Sequence, residues 1–120
     1  MTQTLDDFRN ADVFDSRDVI ERIEELEAIE SPDEDESTEL AILYSFAHEA
    51  EGYVADWKYG EGFVADSYFE SYAMELAEDI GAIAKDATWP NSFIDWPAAA
   101  DALKQDYMSF ELDGRTFWTR

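Results

Sequence analysis

The stretch Met108-Ser109-Phe110-Glu111-Leu112-Asp113-Gly114-Arg115-Thr116-Phe117-Trp118-Thr119 reads as a β-hairpin. Apolar and polar residues alternate from Met108 to Leu112 and again from Arg115 to Thr119, the period of a half-buried strand. Asp113-Gly114 between them suits a type I′ turn, whose two central residues both need positive φ. A two-residue loop fixes the register, so that Leu112 pairs with Arg115 and Phe110 with Phe117. Met108, Phe110, Leu112 and Phe117 then share one buried face. A hairpin behind a chain whose pattern is otherwise mostly helical gives the fold class: α+β.

Upstream of the hairpin, Asp95 is placed as an N-cap, with Pro97 in the first turn of a helix running to about Asp106. Ala99, Leu103 and Tyr107 face inward on it. Trp89-Pro90-Asn91 breaks the chain. Ser67-Tyr68-Phe69-Glu70 has the spacing of a capping box. Phe69, Tyr72, Ala73, Leu76, Ala77 and Ile80 form an apolar stripe behind it, and Gly81 suits the C′ position. Before that lie a short candidate strand, Phe63-Val64-Ala65, and a turn, Tyr59-Gly60-Glu61-Gly62. Leu40, Leu43, Tyr44, Ala47 and Val54 keep helical spacing, with Gly52 a weak point or an end. This helix starts at Ser31-Pro32-Asp33-Glu34, with Ser31 as N-cap, or after an acidic loop at Ser37. Asp15-Ser16-Arg17-Asp18 starts another helix, ending near Glu30, with Val19, Ile20, Ile23 and Leu26 on one face. The expectation is about four helices and a small antiparallel sheet in one domain over residues 1–120. Residues 1–12 can be a flexible arm. There is no internal repeat.

Composition bounds the function. Hydrophobic residues are 46% of the chain and aromatics 15%, enough for a core despite the charge. Thirty acids against eight bases give −22, where a small domain usually carries about 2–8. Residues 1–56 hold 18 acids and 3 bases; residues 57–120 hold 12 and 5. Nucleic acid and anionic membranes are poor partners for such a chain, and basic surfaces are good ones. No apolar run is long enough to span a bilayer and no secretory signal is visible, so a cytoplasmic location is expected. The absence of cysteine excludes disulfides and thiolate metal sites. One histidine, His48, three lysines and no Gly-rich phosphate loop give catalysis no support, so no enzyme, cofactor or metal is expected. Most of the aromatics are read as core; they do not suit a stacking surface for nucleic-acid bases, because the charge repels phosphate.

Three readings of the acidity stand: a solvated surface such as an acidic adaptor has, adaptation to high salt, and mimicry of DNA. Duplex DNA carries one charge per about 1.7 Å of axis. Carboxylates held on helices can imitate it, with neighbours at i,i+3 and i,i+4 about 5–6 Å apart. The candidate partner-binding acids are the outward set Asp18, Glu21, Glu24 and Glu25, the run Asp33, Glu34, Asp35 and Glu36, and Glu75, Glu78 and Asp79.

The second half resembles the ArdA-type antirestriction proteins, small acidic proteins of phages and mobile elements. The stretches that carry the likeness are Asp66-Ser67-Tyr68-Phe69-Glu70-Ser71-Tyr72-Ala73, Glu75-Leu76-Ala77-Glu78-Asp79-Ile80-Gly81, Trp89-Pro90, Ile94-Asp95-Trp96, and Asp113-Gly114 with the aromatics after it. It covers residues 57–120, and residues 12–30 loosely. The resemblance implies a DNA mimic that occupies the DNA site of a type I restriction–modification enzyme, usually as a homodimer. Members of that family are longer, with successive small domains. A short mimic can equally block a CRISPR effector, as an anti-CRISPR-type inhibitor does.

Overall fold

The computed structural model describes residues 3–81 and 94–120. Helix α1 (Leu5–Asn10) is followed by strand β1 (Val13–Asp15), helices α2 (Ser16–Glu27) and α3 (Glu34–Tyr53), and strand β2 (Gly62–Ala65). A 3-10 turn (Asp66–Tyr68) then leads into helix α4 (Phe69–Asp79). Helix α5 (Trp96–Lys104) and the hairpin strands β3 (Met108–Leu112) and β4 (Arg115–Thr119) complete the order. The fold is α+β. Among the described residues there are five α-helices and one antiparallel sheet of order β1-β2-β4-β3.

The hairpin has the expected register, with Phe110 opposite Phe117 and Leu112 opposite Arg115. Asp113 and Gly114 take φ of 49° and 83°, the two positive values that a type I′ turn requires. Alternation along the strands divides the sheet into two faces. Phe14, Phe63, Ala65, Phe110, Leu112 and Phe117 point to one face and pack with Phe8 of α1, Val19 and Leu26 of α2, and Leu43 and Phe46 of α3. Val64 and Trp118 point to the other and pack with Phe69 and Ala73 of α4 and Ala100 of α5. The sheet is thus the middle layer of three.

Phe14 sits at the centre of the larger core. Its ring stacks on Phe63 at 5.2 Å and meets Phe117 edge-on at 4.8 Å. Such pairs add about 0.5–1.5 kcal/mol each beyond the area they bury. Beside them Ser16 is fully buried and satisfied: its Oγ donates to the Trp57 carbonyl at 2.9 Å and accepts from the Glu61 amide at 2.8 Å. That hydroxyl pins the turn after α3 to the start of α2.

Several sequence expectations are corrected. Residues 5–10, within the segment read as an open arm, form a capped helix that buries Leu5 and Phe8. Helix α3 starts neither at Ser31 nor at Ser37; Asp33 is its N-cap and Glu36 completes a reciprocal capping box. A carboxylate at each end of that box outcompetes the serines beside it. Gly52 lies inside α3, which continues to Tyr53. Ser67 caps nothing: it lies in the 3-10 turn, α4 has no side-chain cap, and the Ser67 hydroxyl accepts from Arg115 Nη2 at 2.9 Å. Ile80, placed in an apolar stripe, and Tyr44, placed at helical spacing with Leu40 and Leu43, are exposed. Helix α2 ends at Glu27 and α5 at Lys104, each short of the expected end. The break at Trp89-Pro90-Asn91 lies outside the described residues.

Candidate functional site: the acidic helices and the groove between them

Helix α2 sorts its residues cleanly. Asp15 caps it, accepting from the Arg17 amide, and Val19, Ile23 and Leu26 are buried. Glu21, Glu24 and Glu25 are exposed on the other side, while Asp18 is half-buried and accepts from Gln3 Nε2 at 3.4 Å. At the start of α3, Asp33 Oδ1 accepts from the Glu36 amide at 2.7 Å and Glu36 Oε1 from the Asp33 amide at 3.0 Å. Glu34 and Asp35 between them point to solvent. On α4, Glu75 accepts from the Tyr68 hydroxyl at 2.7 Å, which holds the Tyr68 phenol above its ordinary range.

These acids do not form one surface. Helices α2 and α3 pack on one face of the sheet and α4 on the other. The set read from sequence therefore divides into Asp18 to Glu36 on one side and Glu75, Glu78 and Asp79 on the other. Nor are all of them equivalent. Glu25 pairs with Arg22 at 2.7 Å. Among the described residues, no ion pair engages Glu21, Glu24, Glu34, Asp35, Glu78 or Asp79.

The bases explain why so much charge is left uncompensated. Arg22 reaches across to Glu39 of α3 with two hydrogen bonds, of 2.8 and 2.9 Å, and Glu39 also accepts from the Leu5 amide. The guanidinium holds the Glu39 carboxyl below its ordinary value. Arg9 bridges Asp6 and Asp113. Lys104 pairs with Asp66 at 2.8 Å and lies over the Phe69 and Trp118 rings, and with the Trp118 indole it lowers the Asp66 pKa. Arg115 donates to the Arg9 and Ala11 carbonyls. These bases hold elements together, so the outward acids of α2 and α3 meet solvent.

A groove runs along the α2–α3 seam and encloses about 250 Å³. Ile23, Ala47 and Trp57 form its floor, all three more than nine-tenths buried. Tyr44 and His48 stand on one wall, stacked with rings parallel to within 5° and centroids 6.3 Å apart. Exposed Glu24, Glu27 and Glu51 rim it, together with Lys58. Of these, only Glu24 was legible as a candidate. Tyr44, His48 and Glu51 recur at i, i+4 and i+7, so a stripe along one edge of α3 was there to be read. Tyr44 keeps helical spacing with Leu40, Leu43 and Ala47, which hides its place at the edge of α3.

No group of three or more acids or histidines among the described residues is placed to hold a metal ion, and none of their helices is long and apolar enough to cross a membrane. No family model, curated protein or solved structure matches the chain.

Proposed function

We propose that this protein is an inhibitor that mimics DNA, placing carboxylates in the DNA-binding groove of a basic protein. One observation carries the reading: a net charge of −22 on a body of 59 × 24 × 23 Å. That is one net charge per about 2.7 Å of long axis, within a factor of two of the 1.7 Å of duplex DNA. Exposed Glu21, Glu24, Glu34 and Asp35 carry no ion pair among the described residues, so a partner's Arg and Lys can take them. Carboxylates accept bidentate Arg contacts much as phosphates do. The resemblance to ArdA-type proteins supports a type I restriction–modification enzyme as the target, acting in the cytoplasm of the host cell; a CRISPR effector is the other member of the same class. A homodimer, as in that family, would double the charged length.

The test is displacement. Labelled duplex is bound to a purified type I restriction–modification enzyme, or to a CRISPR effector, and the protein is titrated in at rising salt. Displacement of duplex that weakens as salt rises is the expected result. The protein alone should leave duplex mobility unchanged in a gel. Tight binding of the protein itself to duplex would end the reading. Failure to displace DNA from either target class would favour an acidic adaptor.

A further inference from the structure

We propose that the α2–α3 groove is the anchoring point for the partner, binding a segment in which a bulky apolar side chain is flanked by Arg or Lys. The proposal rests on the reading of a basic partner, and adds to it where that partner is held and by what. A surface that only imitated phosphates would need no apolar floor, yet the groove has one, built from Ile23, Ala47 and Trp57. Its volume of about 250 Å³ is below the roughly 300–1,000 Å³ of small-molecule sites and suits one or two side chains. The rim decides the flanking chemistry. Glu24, Glu27 and Glu51 set three carboxylates around the opening against the single ammonium of Lys58. An apolar residue with acidic neighbours would meet repulsion here, and one with Arg or Lys neighbours would meet three acceptors.

Tyr44 gives the groove an aromatic edge. It is 58% exposed, a large ring standing at the groove's edge and held by its stack on His48. Aromatic side chains of this kind, partly preordered and beside a pocket, are favoured as anchors in protein interfaces. An apolar contact ringed by charge also divides the work of recognition. The carboxylates speed encounter and the buried side chain sets residence time.

His48 is the only histidine in the chain, so the Hε1 proton of its imidazole gives a single NMR signal that reports from within the groove. The full-length protein is titrated with two synthetic peptides, Arg-Arg-Leu-Leu-Arg-Arg and hexa-arginine. The leucine peptide should shift the His48 signal saturably; hexa-arginine should bind by charge without a saturable shift. Tyr44→Ala removes an exposed ring and leaves the core intact. It should weaken the leucine peptide about thirtyfold, as loss of an aromatic hot spot does, and leave hexa-arginine unchanged. Glu51→Lys should weaken both peptides. Equal His48 shifts from the two peptides, no shift from either, or an unaltered affinity in Tyr44→Ala would overturn the proposal. Displacement of DNA from a target without any role for Tyr44 would also overturn it while leaving the mimic reading in place. Saturable docking of the leucine peptide with no displacement of DNA would support the groove and remove the mimic.

Discussion

Glu39 is one of the acids that hold elements together rather than facing outward. It receives both Arg22 bonds and the Leu5 amide, so it ties α1, α2 and α3 at one point. Its side chain and that of Arg22 are 15% and 14% exposed, so solvent screens the pair less than an open surface bridge. Glu39→Gln should cost about 1–3 kcal/mol at neutral pH, read by chemical denaturation. The sign with pH follows from the carboxyl being held below its ordinary 4.5. Its contribution is complete above that value and is lost as pH falls through the lowered folded value. The gap between wild type and variant should therefore close under acid and remain constant from pH 6 upward; a gap that widens in acid would contradict the assignment. Ser16 and Gly114 are the other two residues on which the fold leans. Ser16→Ala would strand a buried carbonyl and a part-buried amide, at about 1–3 kcal/mol. Gly114→Val forces a β-branched residue to φ 83°, at about 1–3 kcal/mol. An unchanged melting temperature in either would show that the bond or the turn is dispensable.

Among the elements, α2 and the first turn of α3 carry the exposed acids that proposed mimicry needs. Replacing Glu21 and Glu24 by Gln, together with Glu34 by Gln and Asp35 by Asn, removes four charges and no ion pair among the described residues. Folding should hold, relief of repulsion offsetting the loss of Glu34 and Asp35 from the first turn of α3, and affinity for the target should fall with a shallower dependence on salt. Parallel salt slopes for wild type and variant would take these helices out of the interface. Glu25 belongs in a separate variant, since its loss also releases Arg22. The sequence revealed the hairpin because its signal is local, an Asp-Gly pair between two alternating runs. It revealed α2 for the same reason, through a cap and a full amphipathic period. It did not reveal α1 or β1, which at six and three residues are too short for periodicity to speak. Thr4-Leu5-Asp6-Asp7 was nevertheless a readable capping box. The acids were plain in composition, but not which of them were engaged, because Arg22 finds Glu39 seventeen residues away and Arg9 finds Asp113 across 104.

At the scale of the whole molecule, the charge bears on stability as well as on partners. Raising ionic strength from about 0.1 to about 1 M shortens the screening length from about 10 to about 3 Å and should relieve self-repulsion. The melting temperature should rise with salt from a state already folded at low salt. A chain that folds only in molar salt would instead be a halophilic domain. The order of the sheet has a further consequence. Strand β4 is an interior strand: β2 pairs with it on one side and β3 on the other, and Arg115, at its start, reaches back to the carbonyls of Arg9 and Ala11. During synthesis, β2 has only the short β1 to pair with until residues 115–119 leave the ribosome. The sheet therefore cannot close before β4 is made, and all thirty acids precede that strand. Mutual repulsion among those acids opposes association of such chains, so the carboxylates proposed to face a target also bear on the chain before it has a fold.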